Sequence, residues 1–161
     1  MPRMTRAALA RRNPRLAEQV EGAKRPAPDS VVIHIPMRAI PLERHRHGVG
    51  GSYLPARSRK FRQAVQAYMR QAMGCTAPFS GPLRAEFGFE FARPKTGPNA
   101  KAVFHAAKPD FDNLVKAICD AGNGILWHDD CQISSADVDK RWADEDAIYL
   151  VVATDPARGE R

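Results

Sequence analysis

From Leu83 to Phe91 the chain alternates without a break. Leu83, Ala85, Phe87, Phe89 and Phe91 fall on one side of an extended strand, and Arg84, Glu86, Gly88 and Glu90 fall on the other. A period of two held this long is incompatible with a helix, and a phenylalanine stripe has to be covered. The stripe is expected to be core or a dimer interface rather than a platform for stacking bases. Residues 57–73 supply a matching cover, because Phe61, Val65, Tyr68, Met69 and Ala72 recur at helical spacing on an otherwise basic segment that Gly74 ends. Residues 30–36 are β-branched and bounded by prolines, a first strand. Residues 132–142 and 147–154 read as two further strands joined by Asp144, Glu145 and Asp146, and a hairpin is expected there. With a second helix that starts around Asp110 to Asp112 and ends at Gly122, Asn123 and Gly124, the order strand, helix, strand, helix, strand, strand predicts an α+β fold with a mixed sheet and packed helices.

The second helix sits in the segment that carries the chemistry, KPDFDNLVKAICDAGNGILWHDDCQ, residues 108–132. Phe111, Leu114, Val115 and Ile118 form an apolar stripe expected to face the core. Asp112, Lys116 and Asp120 are four apart and share another face. Gly122, Asn123 and Gly124 tolerate positive φ and turn the chain back through Ile125, Leu126 and Trp127 to Asp129 and Asp130, so the two acidic clusters are expected to meet. Converging carboxylates repel one another unless a hard divalent cation, Mg²⁺ or Mn²⁺, takes their oxygens. The competing explanation is structural: Asp110 as a helix N-cap, Asp112 as a first-turn acid, and Asp129 and Asp130 as a plain turn. Spacing alone leaves both open.

The run PDFDNLVKAICDAGNG followed by HDDCQI resembles the signature of the RusA family of Holliday junction resolvases. Asp110, Asp112, Asn113, Leu114, Lys116, Asp120, Gly124, Asp129, Asp130 and Gln132 each match a motif position. The resemblance implies a RusA-like α+β fold and a metal-dependent endodeoxyribonuclease that resolves four-way junctions by paired nicks in DNA recombination and repair, acting as a homodimer. It also implies roles: Asp110, Asp112 and Asp130 as catalytic carboxylates that hold Mg²⁺ (Mn²⁺ possible), Asp129 as a further metal contributor, and Lys116 as the functional lysine. Asn113 and Asp120 would orient these groups from behind.

Charge is distributed accordingly. Residues 1–107 carry 19 Lys and Arg against 6 Asp and Glu, whereas residues 108–161 carry 6 against 12. A basic portion gives affinity for phosphates without sequence preference, so nucleic acid is the expected partner. Arg44, Arg46, Arg57, Arg59 and Lys60, interspersed with glycines and with Tyr53, read as a phosphate-gripping loop in which Tyr53 could stack on an unpaired base. Lys108 would extend this surface, and Arg93, Lys95 and Lys101 lie on the loop ahead of the aspartates.

Residues 1–28 are rich in Arg, Pro and Ala and read as a flexible basic arm whose removal should leave the domain folded. Residues 29–156 form the nuclease domain, and 157–161 a tail. There is no run of 18 apolar residues and no secretory signal, so no membrane partner and a cytoplasmic location are expected. Cys75, Cys119 and Cys131 have no zinc spacing and are expected to be buried thiols. Two other classes fit part of the pattern. A non-catalytic branched-DNA-binding protein of the same fold would bind a junction without cutting it, and a structural or interaction protein would use its acidic helix and basic arm on a protein partner, which a gel shift insensitive to added salt would favour.

Overall fold

The computed structural model describes residues 30–43, 46–48, 51–74 and 76–155, with the backbone alone for 46–48, 51 and 52. The basic arm, the C-terminal tail, Arg44 and Cys75 lie outside the described residues. In chain order the elements are β1 (Ser30–Ile35), β2 (Arg46–Gly48), β3 (Gly51–Tyr53), helix α1 (Ala56–Met73), β4 (Leu83–Ala92), helix α2 (Phe111–Gly122), β5 (Ile133–Ala143) and β6 (Ala147–Thr154). Short 3-10 turns lie at Pro98–Lys101 and Asp130–Gln132. This is the expected α+β fold with a mixed sheet, to which β2 and β3 add a separate two-stranded ribbon.

The main sheet has the order β1-β6-β4-β5, antiparallel except for β4 with β5. The expected hairpin between the last two strands is therefore absent, because β4 lies between them. The reason is the connection: β5 follows a helical crossover from β4 and so runs parallel to it. Residues 144–146 then carry the chain past β4 to its other side, where Asp146 accepts a hydrogen bond from the Ala92 amide at 2.9 Å.

The phenylalanine stripe is core. Phe87, Phe89 and Phe91 are buried together with Ile33 and Ile35 of β1, Phe61, Val65 and Met69 of α1, and Leu114 and Ile118 of α2. The stripe is thus unavailable as a dimer interface. Gly74 closes α1 with φ 60°. On α2 the buried side is Leu114, Ala117, Ile118 and Ala121, while Phe111, assigned to the stripe by its spacing, is 59% exposed. Phe111 is the first residue of the helix, where the chain has only begun to approach the sheet. Phe111→Ala should therefore change stability by less than about 0.5 kcal/mol. Leu114→Ala should cost about 2–5 kcal/mol. Urea unfolding midpoints of the two variants separate these values, and equal losses would contradict the burial described.

Cys119 is buried, and burial pushes its thiol up to about 12, so it is an inert thiol rather than a nucleophile. Cys131, expected to be buried, is exposed, because it belongs to the surface turn that leads into β5.

Candidate active site

The acidic segment is the crossover between β4 and β5, and its two acidic groups stand at different ends of α2. Asp110 occupies the N-cap position, in an extended conformation, yet its side chain makes no capping hydrogen bond. The carboxylate is left to solvent, which removes the N-cap explanation for its presence. Asp112 lies in the exposed first turn and accepts a bond from Asn113 Nδ2 at 3.3 Å. Asn113 contributes through its backbone as well, since its carbonyl accepts from the Leu42 amide at 3.1 Å.

That last bond places the basic loop. Leu42 is pinned to the first turn of α2, and Glu43 accepts from the Ser58 hydroxyl at 2.6 Å near the start of α1. The β2–β3 ribbon, with Arg46 opposite Tyr53, departs from Glu43 and returns into α1. It is thus rooted beside Asn113 and hence beside Asp112. Tyr53 is 50% exposed, and Arg57, Arg59, Lys60 and Lys108 are exposed. Arg93 is used differently. Its guanidinium donates to the carbonyls of Ala102 and, at 3.4 Å, Trp142, and so fixes the loop before the aspartates.

Lys140 is the residue that sequence reasoning missed. Its ammonium donates to the carbonyls of Ala107 and Pro109, both at 2.6 Å, and its charge acts on Asp110. Burial lowers its pKa while the Asp110 carboxylate raises it, with a net downward shift. Strand alternation alone could not find it, because only the register that pairs Lys140 with Phe89 turns it to the helical side of the sheet.

At the other end, Trp127 is fully buried and donates to Asn123 Oδ1 at 2.8 Å. Of the three turn residues only Gly124 has positive φ, 73°. Gly122 is needed for a different reason, since a Cβ there would lie 2.5 Å from the Trp127 ring. The chain then enters the 3-10 turn, where the two adjacent aspartates part company. Asp129 caps the turn by accepting from the Cys131 amide at 2.9 Å, and that bond holds its carboxyl below the usual range. Gln132 completes the capping box, accepting from the His128 and Asp129 amides and donating to the carbonyls of Phe79 and Gly81. Asp129 is thereby occupied structurally. Asp130 opens the 3-10 turn, and its charge adds to the burial that raises the pKa of Cys119.

Asp120 pairs with Lys116 at 3.3 Å and with Arg62 at 3.4 Å, which makes it a brace between α2 and α1. Among the described residues, no three His, Cys, Asp or Glu side chains are gathered as a ligand group. The expected meeting of the two acidic clusters is not seen as such a group: Asp110 and Asp112 stand at the start of the 12-residue helix, and Asp130 follows its far end in the turn that leads into β5. The donors nonetheless suit magnesium. Asp110, Asp112 and Asp130 form no salt bridge with a described cation. Magnesium is characteristically held by one or two carboxylates together with substrate phosphates and water, rather than by a closed protein cage.

Two comparisons with known proteins bear on this site. The family model described as "Endodeoxyribonuclease RusA" matches residues 36–153, a span that contains the whole acidic segment and the sheet around it. The chain is also similar to the uncharacterized protein YqaN of Bacillus subtilis (strain 168), with 29% identity over 107 residues, 61% of this chain and 75% of that protein.

Proposed function

The chain belongs to the endodeoxyribonuclease RusA family, and from that premise we propose that it is a magnesium-dependent resolvase that nicks four-way DNA junctions in symmetric pairs during recombination and repair. One observation carries the reading. Within residues 108–132 Asp120 is used in ion pairs and Asp129 in a cap, whereas Asp110, Asp112 and Asp130 form no salt bridge with another described residue. Exposed carboxylates without a salt-bridge partner among the described residues, in a segment set beside a basic ribbon, suit phosphodiester hydrolysis with a divalent cation.

In this reading Asp110, Asp112 and Asp130, which are not gathered into one group among the described residues, would be drawn onto the cation together with a DNA phosphate and water, and Asp129 shapes the turn that carries Asp130. Magnesium, when bound, supplies charge neutralisation of the scissile phosphate and an acidified water for attack on phosphorus. Lys116, held on the exposed side of α2 by Asp120, offsets charge that accumulates on the phosphate oxygens as the bond to the 3′ oxygen breaks. Lys140 limits repulsion around Asp110 and fixes the backbone that leads into it. Arg46, Tyr53, Arg57, Arg59, Lys60 and Lys108, with Arg44, bind the arms of the junction. Among the described residues no helix is long and apolar enough to cross a membrane.

Two strands of like polarity have to be cut, and a two-fold symmetric junction matches a two-fold symmetric enzyme, so the working unit is a homodimer. Incubation with an end-labelled junction and Mg²⁺ should yield two nicked duplexes and no product in EDTA. Binding without cutting would instead support a junction-binding protein of the same fold. Wild-type chains exchanged with Asp112→Asn chains should form mixed dimers that make one nick and stall. Both cuts at the wild-type rate from mixed dimers would refute the paired-site scheme.

A further inference from the structure

Phe111 has no task in the fold. It is 59% exposed while Leu114 and Ile118 of the same helix are buried, and among the described residues no ring contact or cation–π pair involves it. A single exposed phenylalanine needs no explanation by itself; its place is what gives this one meaning. It stands between Asp110 at the N-cap of α2 and Asp112 in the first turn, two of the carboxylates proposed to hold the cation. Side chains on a helix lean toward its N-terminus, so the ring projects off the end of α2 where these carboxylates begin. Neighbouring Cα atoms are about 3.8 Å apart, comparable with the roughly 3.4 Å between successive nucleotides of a strand. A phosphate taken up at Asp110 and Asp112 therefore has the ring beside its own nucleotide or the next. The mount is firm on both sides: the Lys140 ammonium holds the Pro109 carbonyl at 2.6 Å, and the Asn113 carbonyl accepts from the Leu42 amide at 3.1 Å. Phe104 is exposed as well, but it bridges to Arg141, which pairs with Glu90 and so lies on the sheet side away from α2.

Resting on the reading of this chain as a junction nuclease, we propose that Phe111 reads the branch: its ring enters the stack beside the scissile phosphate and takes the face of a base there, which makes four-way junctions better ligands than continuous duplex. Apolar wedges act on DNA in this way, by inserting between base steps and unstacking them. In a continuous duplex that insertion has to break stacking, whereas at a branch point the stack is already interrupted, so the same ring is seated at lower cost. Every base has a π-face, so the contact gives a preference for structure without a preference for sequence. A second copy of the chain is the competing occupant. It is disfavoured because a subunit contact through this ring would also cover Asp110 and Asp112, the carboxylates that have to meet DNA in the proposed reaction. Adjacent residues of one helix thus carry the group that opens the strand and the groups that cut it.

A four-way junction carrying 2-aminopurine at the branch point, bound in EDTA so that no strand is cut, tests this. The unaltered chain should raise the 2-aminopurine emission on binding, as the base leaves its neighbours, and should bind the junction in preference to linear duplex. Phe111→Ala, which the exposure of the ring leaves folded, should lose that rise and bind the junction about ten-fold more weakly, with linear-duplex affinity held within about two-fold. Phe111→Tyr should restore the preference. Equal junction preference in Phe111→Ala and in the unaltered chain would overturn the inference and leave the nuclease reading intact. A Phe111→Ala chain that sediments as a monomer where the unaltered chain sediments as a dimer would overturn it in favour of a subunit contact. No junction preference in the unaltered chain would overturn both the inference and the reading it rests on.

Discussion

Asp112→Asn is expected to lower junction cleavage on the order of 10³-fold, the upper range for loss of one positioned charge-stabilising group, while junction affinity stays unchanged or tightens slightly. The substitution keeps the shape of an exposed first-turn side chain, so folding is unaffected. It removes one carboxylate from the proposed cation site and one negative charge from the surface proposed to meet DNA. The neighbouring pair sharpens the test. Asp130→Asn should behave like Asp112→Asn, whereas Asp129→Asn should retain activity within about ten-fold, because asparagine caps a turn nearly as well as aspartate. Single-turnover nicking rates and gel-shift affinities measured side by side would decide. Cleavage at the wild-type rate by Asp112→Asn would remove that residue from the site, and equal losses at Asp129 and Asp130 would mean that the cap is not Asp129's main task.

Gly122→Ala should destabilise the protein by about 1–3 kcal/mol through overpacking and should impair cleavage far from the carboxylates themselves. Its Cβ would stand 2.5 and 2.9 Å from two atoms of the Trp127 indole, a ring that is fully buried and cannot retreat without vacating the core. Displacing Trp127 would break its bond to Asn123 and shift the following turn, so Asp130 would be misplaced together with it. Gly124→Ala is the control. Nothing lies near its Cβ, and it pays only for φ of 73°, roughly 1–2 kcal/mol, with Asp130 undisturbed. Urea midpoints compared with nicking rates would distinguish the two. Full activity in a folded Gly122→Ala protein would show that the Trp127 contact does not set the site.

Period-two alternation made β4 legible because both its neighbours in the sheet reinforce the same face, and the acidic segment was legible because its motif is long. Strand order was not, since a crossover and a hairpin present identical local patterns in the strands they join, and only the pairing of β5 with β4 resolves them. Phe111 was misassigned because helical spacing fixes an angle around the axis, whereas exposure at a helix end depends on how far that end projects from the sheet. The division of labour between Asp129 and Asp130 was present in the sequence as a capping box, Asp129 with Gln132 three residues on, and could have been read. Lys140 required the parity of β5 relative to β4, which depends on long-range register.

The sheet places β6 between β1 and β4, although β1 begins at Ser30 and β6 ends at Thr154. On the ribosome, the early strands, both helices and every candidate catalytic carboxylate therefore emerge before the strand that ties them together. Until that strand is out of the exit tunnel, β1 and β4 have no edge to share, and the phenylalanine stripe has half its bed. A chain that stops short of β6 would hold every candidate catalytic carboxylate without the strand that joins β1 to β4. A chain cut short before Ala147 should therefore lose the fold as well as its last strand, however many of the aspartates it retains.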